Sequence, residues 1–109
     1  MPDSVGNLSD LRELQLEGNR LEALPESMGN LASLTRLHLR NNNLKFLPSS
    51  FANLARLTYL DLRDNQLPGV PECLRRLPNL QKLDMKWNRL QAMPEWVGEL
   101  QQRGCTVYF

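Results

Sequence analysis

The chain has 109 residues, of which 41% are hydrophobic, and its 13 lysines and arginines against 12 aspartates and glutamates give a formal net charge of +1. This length predicts a single domain, 1–109, and a charge so close to zero gives no electrostatic reason to expect nucleic acid or a membrane as a partner. The sequence also contains no secretory h-region, no apolar run of transmembrane length and no lipidation motif.

Proline recurs at a strict interval of 23 residues, which divides the chain into similar units. The prolines on this register are Pro2, Pro25, Pro48, Pro71 and Pro94, and the leucines that keep the same step are Leu8, Leu31, Leu54, Leu77 and Leu100. A fixed period of this size is typical of repeat proteins, in which each unit forms one coil and stacks on its neighbours.

The chain begins within a repeat, because residues 1–8 align with residues 24–31 and Met1 occupies a leucine position. Residues 1–10 are therefore a partial repeat. Two explanations stay open: a segment of a longer repeat protein, or a small chain whose open end a second copy covers. Since the first strand would have a free edge above apolar side chains, we expect weak self-association through this N-terminal edge.

Four full repeats begin at about residues 11, 34, 57 and 80, and each is predicted to contain a strand, a turn and a short helical segment. In the first repeat, Leu14 and Leu16 alternate with polar residues, which indicates a short strand with one buried face. Pro25 then opens the next segment, where a missing N–H suits the first turn of an α- or 3₁₀-helix. Stacked coils would pair their strands into a parallel sheet and bury the leucines in one column.

An asparagine follows each predicted strand, at Asn19, Asn42, Asn65 and Asn88. Backbone groups at this turn are buried and have no sheet partners. An inward-pointing amide carries donors and acceptors that can bond these groups in its own coil and the next one. We therefore expect the four asparagines to be structural.

The repeat register breaks after Leu100. Gly104 leads into an alternating, β-prone run, residues 105–109, with no turn after it. This pattern predicts a closing edge strand at about 104–109.

Each unit reads L-x-x-L-x-L-x-x-N-x-L-x-x-L-P, with valine or methionine at a few leucine positions. This string resembles the leucine-rich repeat. The resemblance implies an α/β fold: a right-handed solenoid with a short parallel sheet on the concave face and short helical or 3₁₀ turns on the convex face. The 23-residue, LP-containing unit is similar to intracellular repeats of the Ras-scaffold and plant Ras-group-related type, and also to repeats in plant disease-resistance proteins and some bacterial proteins. Such families imply protein–protein scaffolding through the concave face.

No combination of residues predicts catalysis. The one histidine, His38, is predicted on the concave face, whereas Ser27, Ser50 and Cys73 occupy equivalent positions on the convex side. A His–Ser or His–Cys pair would have to reach across the coil, and metal binding by His38, Cys73 and Cys105 fails for the same reason. We therefore expect no enzyme activity, no cofactor and no metal site.

The cysteine content bears on location. Cys73 and Cys105 are the two cysteines, and they lie in different coils. They lack the paired clusters that flank extracellular repeat proteins, which favours a reduced, cytoplasmic setting.

Outward-facing positions form columns across neighbouring strands, and these columns are the predicted protein-binding surface. Its residues are Arg36, His38, Arg40, Tyr59, Asp61, Arg63, Lys82, Asp84, Lys86 and Trp87. Arg40, Arg63 and Lys86 form a cationic stripe, and Trp87 at its edge should be largely exposed. Because tyrosine, tryptophan and arginine dominate interface energetics, we expect a protein partner with an acidic surface. The alternative is a solvated salt-bridge lattice of little energetic weight, in which Asp61 and Asp84 neutralise their neighbours.

The function that these observations favour is a non-catalytic module that binds a partner protein through its concave face. Two alternatives stay open. One is a structural fragment or designed repeat array without a native ligand. The other is the recognition part of a larger enzyme or effector.

Overall fold

The chain folds into a solenoid whose coils place their strands side by side in one parallel sheet. The computed structural model describes the whole chain, residues 1–109. The five strands are β1 (Glu13–Gln15), β2 (Arg36–His38), β3 (Tyr59–Asp61), β4 (Lys82–Asp84) and β5 (Thr106–Tyr108). They lie in sequence order, and every neighbouring pair is parallel. Each coil therefore packs against the coils that precede and follow it in the chain.

Each strand turns its central residue into the core and its flanking residues outward. Leu37, Leu60 and Leu83 are fully buried at the centres of β2, β3 and β4. The sheet register places residues of equivalent repeat position opposite each other, as in the pairing of Arg36 with Tyr59. The columns predicted for the concave face are thus real neighbours, because the period of the sequence equals one turn of the solenoid.

The other side of each coil is a short helical turn that begins after a proline. Four 3₁₀ turns span Asp3–Asn7, Glu26–Asn30, Ser49–Asn53 and Glu72–Leu74, and the fifth segment is helix α1, Val97–Gln102. A proline is the N-cap of all four 3₁₀ turns, where its missing N–H costs no hydrogen bond. The predicted α/β solenoid, with a sheet on one side and short turns on the other, is confirmed. None of its helical segments has the length and apolarity that a membrane crossing requires.

The leucines of successive coils form one continuous core between the sheet and the turns. Twenty-five buried residues belong to this single cluster. Met28 and Phe51, at equivalent positions in consecutive 3₁₀ turns, are its largest fully buried side chains. Burial of such a side chain contributes about 1.5–3 kcal/mol, so the convex turns are held by packing as well as by hydrogen bonds.

Two glycines allow the first three 3₁₀ turns to stack in close contact. A Cβ atom at Gly29 would lie 2.6 Å from both the Cβ and the carbonyl oxygen of Ser50, and one at Gly6 would lie 2.6 Å from the carbonyl oxygen of Ser27. The obstacle is backbone in both cases, so it cannot move aside as a flexible side chain would. Glycine is therefore required at these two positions, because any larger side chain would collide with the next turn.

We expect Gly29→Ala to lower the free energy of unfolding by about 1–3 kcal/mol, because the added methyl group overpacks the contact with Ser50. Urea denaturation followed by circular dichroism measures the change. Gly98→Ala is the matched control: a Cβ at Gly98 meets no atom within 4 Å, and alanine favours helix α1. A Gly29→Ala protein as stable as Gly98→Ala would show that the turns can separate without cost.

The apolar residues beneath β1 are the least covered of the sheet. Leu11, Leu14 and Leu16 are only partly buried, whereas their equivalents one coil later are fully buried. The sheet covers β1 on one side only, where β2 lies. Self-association through this edge stays a prediction.

Candidate functional site

The concave surface is shaped by the asparagines that follow the strands. The Asn65 carboxamide accepts a hydrogen bond from the Leu44 N–H at 3.1 Å and donates to the carbonyl oxygens of Leu39 and Leu62 at 3.0 and 3.1 Å. Leu39 and Leu44 belong to the preceding coil, so the amide links its own coil to the coil before it. The sequence had predicted a link to the following coil.

The asparagine column is buried in its middle and not at its ends. Asn42 and Asn65 are 5% exposed, Asn88 is half-buried and Asn19 is exposed. The expectation that each asparagine amide bonds backbone groups in two coils is therefore wrong for Asn19. Its amide bonds only the carbonyl oxygens of Leu16 and Glu17 in its own coil, because no earlier strand lies beside β1.

The residue before each asparagine adopts a left-handed backbone conformation. The φ angle is 68° at Gly18, 61° at Asn41, 55° at Asp64 and 64° at Trp87. Glycine, asparagine and aspartate are the residue types that tolerate this conformation, whereas an ordinary side chain there costs about 1–2 kcal/mol. Trp87 alone breaks the rule, and the glycine, asparagine and aspartate at the equivalent positions are the signal in the sequence that this position requires a positive φ.

Asp61 and Asp84 lie in the predicted concave column but are only 3% and 4% exposed. The Arg63 guanidinium covers both: its Nε and Nη2 atoms bond the Asp61 carboxylate at 2.9 and 2.7 Å, and its Nε lies 3.5 Å from Asp84 Oδ2. This is a correction to the idea of a solvated lattice, because the carboxylates are removed from water by the arginine above them. They support the surface from below and do not present free oxygens to solvent.

The charge of Asp61 is maintained by the same contacts. Burial by itself raises the pKa of the Asp61 carboxyl, but the side-chain and backbone hydrogen bonds and the charge of Arg63 outweigh burial, so the pKa lies below its usual value. The hydrogen bond to Asp61 in turn raises the pKa of the Arg63 guanidinium. Both groups are therefore ionised at neutral pH, and Arg63 is fixed in place.

Cations and aromatic rings alternate across the exposed part of this surface. The Arg36 guanidinium carbon lies 5.0 Å from the centroid of the Tyr59 ring, and the Lys82 ammonium lies 5.3 Å from the same centroid. Lys82 and Lys86 each lie 5.4 Å from the centroid of the Tyr108 ring. Tyr108 was not among the predicted surface residues, although its place opposite Asp84 in β5 could have been found by extending the column one more strand.

The cations of the concave face differ in whether a carboxylate lies close to them. Arg40 and Lys82 have no carboxylate within 4.0 Å, in contrast to Arg36, which lies 3.5 Å from Glu13. Lys86 has a carboxylate only at 3.9 Å, on the buried Asp84. Of the predicted cationic stripe, Arg63 is therefore bound to its aspartates, Lys86 has one distant carboxylate and Arg40 has none. A continuous stripe that binds a partner stays a prediction.

His38 is held within the sheet surface and is distant from the convex nucleophiles. Its Nε2 atom lies 2.7 Å from Glu13 Oε2, and its ring packs against Tyr59 with a centroid separation of 5.2 Å. Ser27 and Ser50 lie in the 3₁₀ turns of the other side. Burial raises the pKa of the Cys73 thiol to about 11, so this group is protonated at neutral pH and a poor nucleophile.

Comparison with family models gives a match over residues 2–103 to a model described as a leucine-rich repeat region. None of the curated proteins compared with the chain matches it.

Solved structures of similar fold include a leucine-rich repeat protein from Leptospira interrogans. It has 34% sequence identity and a TM-score of 0.88 over 100% of this chain and 28% of its own. The leucine-rich repeat ectodomain of the receptor kinase SOBIR1 from Arabidopsis thaliana has 32% identity and a TM-score of 0.80, over 99% of this chain and 60% of that chain. A plant peptide hormone receptor, RGFR1, solved in complex with RGF2, has 34% identity and a TM-score of 0.81, over 100% of this chain and 18% of that chain. The chain thus spans less than two thirds of the length of each.

Proposed function

Because this chain belongs to the leucine-rich repeat family, we propose that it is a protein-interaction module that binds a protein or peptide partner through its concave face. One of the similar structures is a receptor-kinase ectodomain, and another is a plant peptide hormone receptor in complex with RGF2. RGF2 is the partner of RGFR1 and not of this chain. For this chain the comparison supports only the general class of partner, a polypeptide.

The observation that carries the proposal is the set of cations that the fold leaves unpaired on the concave face. Arg40 and Lys82 have no carboxylate within 4.0 Å, and both lie against exposed or half-exposed aromatic rings. The nearby carboxylates Asp61 and Asp84 are buried beneath Arg63. A partner with an acidic surface would complement this pattern, since opposite potentials steer association and fix orientation.

A concave-face charge reversal tests the proposal. Peptides selected from a displayed random library for binding to the wild-type protein would be measured by calorimetry against an Arg40→Glu, Lys82→Glu double variant. We expect at least a tenfold loss of affinity, equivalent to about 1.4 kcal/mol, together with a weaker salt dependence.

The matched control is Arg76→Glu, which reverses an exposed cation beside the convex turn Glu72–Leu74. This variant should bind the selected peptides as the wild type does. Equal affinities for all three proteins would locate binding away from the concave face and contradict the proposal.

The cytoplasmic location expected from the free thiols Cys73 and Cys105 stays a prediction. So does the alternative that the chain is the recognition part of a larger enzyme or effector.

A further inference from the structure

Trp87 occupies a backbone position that its side chain does not suit. Its φ of 64° is matched at the equivalent positions of the other coils by glycine, asparagine and aspartate. The Lys86 carbonyl oxygen before it accepts a hydrogen bond from the Asp64 N–H at 3.0 Å, as the Arg63 carbonyl oxygen does from the Asn41 N–H. An asparagine would satisfy this turn without strain, so the fold itself gives no reason for an indole. Strain of this kind, kept where a milder residue would serve, points to a role in function.

The indole does not cover the core. Trp87 is 60% exposed, whereas the other tryptophan, Trp96, is 9% exposed and belongs to the core cluster. The Arg40 guanidinium carbon lies 5.4 Å from the centroid of the Trp87 ring. Arg40 follows β2 and Trp87 follows β4, so one coil, the one that contains β3, lies between them. Because neighbouring strands are about 4.8 Å apart, the two side chains can meet only above that coil. The pair therefore lies over the rim of the concave face.

An apolar groove lies beside Trp87, and no charged residue lines it. It is lined by Met85, Trp87, Leu90, Met93 and Phe109, together with Asn88, Gln91 and Ala92. Met93 and Phe109 are 40% and 51% exposed, so apolar surface is open to solvent here. On the other side of the indole, Arg40 has no carboxylate within 4.0 Å, even though Asp64 is exposed on the coil between them. An arginine stacked on an aromatic face keeps its N–H donors free at the edge, where they can bind a carboxylate in bidentate fashion.

From this arrangement we propose that Trp87 and Arg40 together form the anchor point for the partner: an extended acidic segment in which a carboxylate binds Arg40 and a neighbouring bulky apolar side chain packs on Trp87 and in the groove. The inference rests on the proposed function and names the chemistry of the segment that is recognised. Charge complementarity selects the acidic residue, and the exposed apolar lining selects its neighbour.

The experiment uses three short synthetic peptides of matched length, whose central residues are Glu-Phe-Glu, Glu-Ala-Glu or Lys-Phe-Lys. Binding to the wild-type protein is followed by tryptophan fluorescence, to which the exposed Trp87 contributes the solvent-sensitive part. We expect the Glu-Phe-Glu peptide to bind at least tenfold more tightly than the other two and to shift the emission to shorter wavelength.

Two variants separate the anchor from the fold. Trp87→Asn should raise the melting temperature, because it relieves the left-handed strain, and should weaken Glu-Phe-Glu binding at least tenfold when measured by calorimetry. Gly18→Asn, which introduces the same residue at the equivalent position of the first coil, should leave that binding unchanged. A gain of stability with a loss of binding is a result that a merely structural tryptophan would not produce.

Several results would overturn the inference. They are no binding of the Glu-Phe-Glu peptide to the wild type at millimolar concentration, equal binding of the Lys-Phe-Lys peptide, or unchanged binding by Trp87→Asn. If library-selected peptides still lose affinity in the Arg40→Glu, Lys82→Glu variant while Trp87→Asn retains it, the anchor is wrong and the concave-face function stands. If neither variant affects binding, both fail.

Discussion

Replacing Arg63 by methionine is expected to lower the free energy of unfolding by about 2–3 kcal/mol at pH 7, because it leaves two carboxylates buried without their cation. Asp61 and Asp84 are opposite each other on β3 and β4, and each is less than 5% exposed. Arg63 contacts both, and its own side chain is 24% exposed, which places the effect below that of a fully buried ion pair. Urea denaturation at constant ionic strength measures the loss.

The pH dependence of this loss has a definite sign. In the wild type the pKa of Asp61 lies below its usual value, so its stabilising contribution is present above about pH 4 and is lost as the pH falls through the lowered pKa. Without Arg63, burial and the neighbouring carboxylate would raise the pKa of Asp61. The variant should then gain stability as the pH falls from 7 towards 4, and the difference between the two proteins should shrink.

Arg76→Met is the control, since it removes an exposed cation of the convex side that has no carboxylate within 4.0 Å. Its stability should stay within about 0.5 kcal/mol of the wild type at every pH. If Arg63→Met is as stable as Arg76→Met, or if its stability deficit does not change with pH, the aspartates are solvated and Arg63 does not hold them.

Replacing Asn65 by alanine is expected to lower the free energy of unfolding by about 2–4 kcal/mol, because it orphans backbone groups in two coils at once. The amide serves the Leu44 N–H and the carbonyl oxygens of Leu39, Leu62 and Arg63, at distances of 3.0 to 3.2 Å. Asn65 is 5% exposed, so water replaces the lost partners poorly. Chemical denaturation measures the effect, and amide exchange should speed up at Leu44.

Asn19→Ala is the matched control, the same substitution in the same repeat position. Asn19 is exposed, bonds two carbonyl oxygens of its own coil and ties no second coil, so its loss should cost less than about 1 kcal/mol. Equal costs at the two positions would mean that the link between coils does not contribute to stability.

The fold was predictable because each coil repeats the same physical solution. The prolines fix where every convex turn begins, and the alternation around Leu37 and Leu60 fixes which side of the strand is buried. Where one coil departs from the pattern, the equivalent residues of the other coils still indicate the structure at that position. This redundancy is why the order, direction and register of the strands follow from the sequence alone.

The chemistry of the concave face was less predictable, because it depends on side chains that differ between coils. The sequence places Asp61 and Arg63 two residues apart, but it does not show that the arginine folds back over its own strand and removes the carboxylate from water. It predicts an exposed Trp87, but the tryptophan itself does not reveal the left-handed backbone beneath the indole, which is indicated by the glycine, asparagine and aspartate at the equivalent positions of the other coils.

The links between coils also determine how this molecule folds. Every side-chain hydrogen bond that joins two coils connects residues between 21 and 28 positions apart. No contact requires the two ends of the chain to find each other, so adding coils would lengthen the protein without lengthening any loop that must close. Folding can therefore nucleate in the middle coils, which have a neighbouring coil on both sides, and spread outward as each finished coil becomes the template for the next. A ligand bound over coils 2–4 would stabilise this nucleus, and its influence on the first coil would arrive through one interface only.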